Sequence, residues 1–491
     1  MKRIFFTMLL LSSFLKAQDN SMLNGNFWKN NPDVVTVKAE IAKGNNPSQA
    51  NGGNHDVVSM AINNGAPLET IKFLIEQPGN NIDKNTHDGR LYIHWAANKG
   101  NVELVNYLIE KGSDINRTDD KGATPLAFAA SNGQANPAIY EAFFKAGINP
   151  KQKYTNGANI LLLAIPNDVD FKLTDYLTTK GLSIKDTDEL GRTAFDYAAR
   201  NGNVEFLKKI IEKGVKPTGS ALIFASQGTR STANGLATYK YLVEDVKLKA
   251  NSVGENGENV LHNLVKKKDQ AENINYFIAK GVDVNATDKD GNNAFMNAAG
   301  SKNLDVVQLL LPKAKNINAA NAKGETALMM AVHNGSPEIV SYLIEKGAKT
   351  DLKSKDGNLG YYLVQSYKAP RPGEKNEEFK QKLDILTKSG FNFATPQPDG
   401  STLYHLAVAK NDINLFNVLD GLKIDVNATN KEGMTALHKA ALMAKDDVIL
   451  KHLVSKGVKK DIKTEFDETA YDLASENESL KENNVSIDFL K

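Results

Sequence analysis

The sequence predicts an all-α solenoid, a line of about thirteen short helix-turn-helix units joined by hairpin-like fingers, and three observations predict it. Glycine recurs at Gly53, Gly89, Gly122, Gly157, Gly191, Gly257, Gly291, Gly324, Gly357, Gly400 and Gly433, mostly 33 to 35 residues apart. Between these glycines the apolar residues fall at helical spacing in two runs; in residues 88–122, Ile93, Ala96 and Ala97 share one face, and Val102, Leu104, Val105, Leu108 and Ile109 share another. Each run is about eight to ten residues, shorter than an isolated helix needs to persist in water, so every unit must bury its apolar face on a neighbour.

The repeated letters resemble the ankyrin repeat. GMTALHKAA at Gly433, GETALMMAV at Gly324, GATPLAFAA at Gly122 and GRTAFDYAA at Gly191 match its first half, and GVDVNATDKDG from Gly281 matches its second. The 66-residue step from Gly191 to Gly257 hides one copy, SALIFASQ from Ser220, and Asp467 takes the glycine position after Gly433. The resemblance implies an ankyrin-repeat α-solenoid, with a face of finger tips and first helices that binds another protein.

In chain order, Lys2 and Arg3 precede an apolar run from Ile4 to Leu15 that is too short to span a bilayer, followed by Ala17 and a polar stretch; residues 1–17 read as a secretory signal peptide. Residues 18–52 are expected to form an amino-terminal capping half repeat, residues 53–466 the array, and residues 467–491 a carboxy-terminal capping repeat with a polar last helix. Two insertions are expected at the turns between first and second helices, QGTRSTANG near Thr229 and SYKAPRPGEKNEEFKQK from Ser366, around Arg371.

Composition narrows the function. The chain has no cysteine, so stacking alone must support it. Removing Lys2, Arg3 and Lys16 with the signal leaves 57 basic against 58 acidic residues, a balance that argues against nucleic acid, whose binding relies on a strongly basic face.

His94, His262, His405 and His438 stand five residues after their unit's glycine, a structural spacing at which the resemblance implies hydrogen bonds to adjacent fingers. Thr124, Thr193, Thr326, Thr402, Thr435 and Thr469 precede first helices and suit capping of free amides, which contributes roughly 1 kcal/mol each. Asp288 and Asp290 resemble part of a calcium loop, but Ala286 and Asn297 stand where ligands are required. Catalytic, cofactor and metal sites are therefore not expected. The expected function is an exported scaffold, periplasmic or secreted, monomeric and not inserted in a membrane after signal cleavage, with His87, Arg117, Asp119, Lys289, Lys355 and Lys431 at finger tips as contacts to a protein partner. The alternative is a small-ligand-binding or enzyme-accessory protein with a pocket at the irregular units near Pro166 or Arg371.

Overall fold

A computed structural model describes residues 20–229, 233–370, 374 and 376–491. The proposed signal peptide and Arg371 lie outside the described residues, as do residues 230–232. The chain divides between residues 232 and 233 into two compact units.

The first unit begins with the short helices Ser21–Leu23 and Gly25–Trp28 and the longer Val34–Ala42, then alternates first and second helices: Val57–Asn63 with Leu68–Ile75, Tyr92–Asn98 with Val102–Glu110, and Pro125–Ser131 with Pro137–Lys145. Pro125 and Pro137 each sit at the first helical position, where the absent amide leaves no bond unmade. Ile160–Ala164 passes through the 3-10 turn Ile165–Asn167 into Lys172–Thr179, the proline interrupting the pair as its sequence suggests. Ala194–Ala198, Val204–Glu212 and the hidden copy Ser220–Gln227 complete it. The second unit continues in the same way from Leu236–Lys240 to Glu478–Glu482.

First helices carry the small residues and stack on one another. Ala96, Ala97, Ala129 and Ala130 are all fully buried, so successive first helices approach closely. Five of the six threonines do as expected: Thr124, Thr193, Thr326, Thr435 and Thr469 each accept the N–H of the residue three positions on, whereas the Thr402 hydroxyl instead meets the His405 ring Nδ1 at 2.9 Å. The four histidines join unit to unit. Each ring Nδ1 accepts a backbone N–H at the start of its own helix. Each Nε2 donates to a carbonyl further along, of Ala123, Asn292, Met434 and Ile462 respectively.

The fingers contain no strands among the described residues; isolated antiparallel bridges such as Thr287 with Asn293 and Ala320 with Thr326 close their bases. At the tip, an acidic or amide side chain accepts two backbone amides. Asp119 Oδ1 takes those of Lys121 and Ala123, and Asp288 Oδ1 those of Asp290 and Asn292, which explains the calcium-like letters. Consecutive fingers are tied by backbone bonds, from Asp120 N to Asp88 O at 2.9 Å, Lys289 N to Asn256 O at 2.8 Å, Ala322 N to Asp290 O at 2.9 Å and Lys355 N to Lys323 O at 2.8 Å.

Three details depart from the sequence reading. In the first finger the left-handed residue is Asn54 (φ 56°), not Gly53, so that unit's register starts one residue later. The finger at Gly357 closes from Ser354 N to Gly357 O, one residue shorter than its neighbours, and Gly357 precedes the cap instead of forming the left-handed corner. The stretch from Ser366 is also not wholly a turn: Glu377 to Lys382 open the 12-residue helix Glu377–Lys388, in which Phe379, Leu383 and Leu386 supply a buried face.

Candidate partner-binding groove

Where the first three fingers meet their first helices, the first unit has an open groove of about 610 Å³. Its wall is a ladder of flat side chains. His55 stacks on His87 with centroids 4.5 Å apart and lies 5.3 Å from the Trp95 ring. The Arg90 guanidinium sits 5.2 Å from the Trp95 centroid and 4.2 Å from that of Phe128, and Trp95 and Phe128 meet edge-on at 5.7 Å. A guanidinium between two π faces is held by ring quadrupoles as well as by packing.

The charges in the groove are fixed. Arg90 Nε donates to Asp119 Oδ2 at 2.9 Å, its NH1 lies 3.2 Å from Asp88 Oδ2, and Lys121 pairs with the same Asp88 oxygen at 2.6 Å. The bond from Lys121 holds the Asp88 carboxyl below the usual range. Burial, with help from His87, lowers the pKa of His55, whose Nδ1 is enclosed without a hydrogen-bond partner among the described residues. Trp95 Nε1 donates to Thr86 Oγ1 at 2.8 Å, which fixes the indole plane. Arg90 and Trp95, each 6% exposed, form the floor of the groove, and the half-buried His55, His87 and Phe128 present the flat faces a partner can meet, aromatic groups of the kind that dominate binding energy in protein interfaces.

Of the expected contacts, the structure brings His87 and Asp119 together in this groove. His87 is half-buried and its Nδ1 lies 2.7 Å from Gly53 O. Asp119 is a correction: at 5% exposure, with one oxygen on the finger amides and the other on Arg90, it shapes the tip and holds Arg90 instead of standing free. Arg117 is exposed on the same finger. Lys289, Lys355 and Lys431 belong to the second unit and occupy one position on alternate fingers. Each spends its backbone N–H on the preceding finger and exposes its side chain.

Arg90, Trp95 and Phe128 are the residues that the repeat pattern conceals, because it explains conserved-looking letters and passes over the variable ones. A signal does exist. Trp95, Phe128 and Tyr197 all stand six residues after their glycine, and Arg90 and Arg192 one residue after theirs; Arg192 likewise lies over Tyr197 and Phe224. Near Pro166 a second groove of about 490 Å³ is lined by Leu163, Tyr197 and Arg200. Among the described residues no group of three His, Asp or Glu side chains is placed to hold a metal ion, and no helix is long and apolar enough to cross a membrane.

These paired helices, capping residues and finger bonds define a helical repeat solenoid of the kind used as a protein-interaction scaffold. Sequence profiles described as ankyrin repeats match residues 58–153 and 261–356, 163–211 and 418–474. The chain belongs to the ankyrin-repeat family. It is similar to the palmitoyltransferase AKR1 of Lachancea kluyveri, 30% identical over 37% of this chain and 25% of that protein. It is also similar to a putative ankyrin repeat protein of Rickettsia felis, 29% identical over 50% of this chain and 70% of that protein. The match therefore spans about a quarter of the palmitoyltransferase's length. Among solved structures, the Bd0816 predatory endopeptidase from Bdellovibrio bacteriovorus in complex with immunity protein Bd3460 aligns at 26% identity and a TM-score of 0.34, covering 42% of this chain and 100% of that chain.

Proposed function

We propose that the protein is an exported scaffold, periplasmic or secreted, that grips a protein partner through the groove of the first unit and performs no catalysis of its own. The single observation that carries the reading is the ladder from His55 and His87 through Trp95 and Arg90 to Phe128. The planes of His87, Trp95 and Arg90 are held by internal bonds before a partner arrives, so little ordering entropy is lost on docking. Export rests on the charged and apolar pattern of residues 1–17.

The test is crosslinking of the full chain in an exported fraction, followed by mass spectrometry, with Phe128→Ala and His87→Ala compared with the unaltered protein. A specific partner recovered by the parent and lost from both variants supports the groove. Equal recovery by all three removes it, and recovery only from cytosol removes export.

A further inference from the structure

The second unit contains a buried ammonium that its surroundings only partly satisfy. Lys382, in the helix Glu377–Lys388, has a side chain 2% exposed, and among the described residues its one acceptor is Glu378 Oε1 at 3.1 Å. An ammonium has three donors, and burying one is costly unless they are met. Glu378 is itself 42% exposed and is shared with Lys302, whose Nζ lies 2.5 Å from its other oxygen. Burial lowers the pKa of Lys382, against the opposing pull of Glu378.

Lys382 lines a cavity of about 160 Å³ together with Lys302, Lys368, His333, Gln365 and Asn376. Just beyond the lining, Lys410 donates to Gln365 O at 3.1 Å, and burial lowers its pKa too. Among the described residues Glu378 is the only carboxylate on the wall, facing three lysines, while Glu325 in the adjoining groove is engaged by Asn321 and Tyr362. The walls thus combine excess positive charge with unspent donors, in a space well below the roughly 300 to 1,000 Å³ of sites for drug-sized ligands. Such a space suits a compact anion.

We propose that this cavity binds a small tetrahedral oxyanion, of phosphate or sulfate size, through Lys382 at its base and Lys368 and Lys302 at its mouth. The anion supplies the acceptors that Lys382 lacks and balances the lysines that Glu378 alone does not. Charge-assisted bonds of this kind are the strong ones, and the partial enclosure limits screening. The site is independent of the groove in the first unit.

The experiment is calorimetric titration of the full chain with inorganic phosphate, with sodium chloride at equal ionic strength as control and O-phosphoserine as a second probe. Phosphate binding to the parent, weakened about tenfold by Lys368→Gln and more by Lys382→Met but unchanged by Lys355→Gln, on the exposed finger outside the cavity lining, supports the site. Phosphoserine binding equally well would extend the ligand to phosphoryl esters, and its failure would confine the site to the free ion. Phosphate heats no greater than those of chloride, or parent-like affinity in Lys368→Gln, would overturn the proposal. Because Lys368 is exposed, its substitution keeps the test decisive even if Lys382→Met does not fold.

Discussion

His55 and His87, from consecutive fingers, stack with their ring planes inclined by 24°. Because a carbonyl only accepts, the Nδ1 of His87 must carry the proton directed at Gly53 O, and the imidazole itself ties the first finger to the second. His55 supplies packing but keeps an enclosed nitrogen without a partner among the described residues. Replacing such a group by an apolar ring of similar shape is nearly neutral or favourable. His55→Phe should therefore keep or raise urea stability at pH 7, by up to about 1 kcal/mol, and raise it further at pH 5. Trp28 and Trp95, the only two tryptophans, both lie in the first unit, so their fluorescence reads this directly. A loss at pH 7 would contradict the packing role.

Arg90 should be the most costly side chain of the groove to remove. Arg90→Ala leaves Asp119, with its side chain 1% exposed, without its cationic partner, and we expect a loss of about 3 kcal/mol in the first unit's unfolding. Arg90→Lys cannot reproduce the planar contact with Trp95 and Phe128 and should still cost about 1 kcal/mol. A lysine variant as stable as the parent would show that the stacking contributes nothing.

Acid should loosen the stack through its buried imidazoles. Burial lowers the pKa of His94 to about 4 and holds those of His262, His405 and His438 below the ordinary histidine range. With the folded value depressed, the unfolded chain takes up protons first. The stabilisation is complete above the unfolded pKa of about 6.5 and is lost as pH falls through the folded values, which for His94 closes the window near pH 4. His94 alone would forfeit on the order of 3 kcal/mol across that window. Melting temperature should be flat from pH 7 to 8 and fall below about 6.5, less steeply in His94→Gln, which can still bond at the helix start. An unchanged slope in that variant would exclude His94 as a source.

Gly281 and Gly291 make a matched pair. Both have positive φ, 85° and 79°, so alanine is strained at either. A Cβ on Gly281 meets nothing within 4 Å, whereas one on Gly291 falls 2.8 Å from Ala322 N, the amide that bonds to Asp290 O. Gly281→Ala should cost about 1 kcal/mol, and Gly291→Ala about 1 kcal/mol more as the fingers part. Equal losses by circular dichroism in urea would show that the fingers yield freely.

The sequence is explicit about whatever a helix pair needs in order to stack. The threonine caps, the alanine pairs and the four histidines recur because every unit meets the same neighbour in the same way, so period and local chemistry together reveal them. The groove is less legible because its residues are those in which one unit differs from the next. Asp119 reads as a free tip side chain until its two finger amides and Arg90 are seen around it, and nothing in the repeat pattern places Arg90 against Phe128, 38 positions away. The pairing of Lys382 with Glu378 has a helical spacing, but nothing in the letters says that the lysine is enclosed.

The backbone bonds from finger to finger also give the molecule an internal gauge of occupancy. The amides of Asp120, Ala322 and Lys355 each span a junction between neighbouring repeats. They exchange with deuterium only when that junction opens. A ligand seated across several fingers would slow these particular amides and leave those within the second helices unchanged, so a footprint could be traced repeat by repeat before its owner is known.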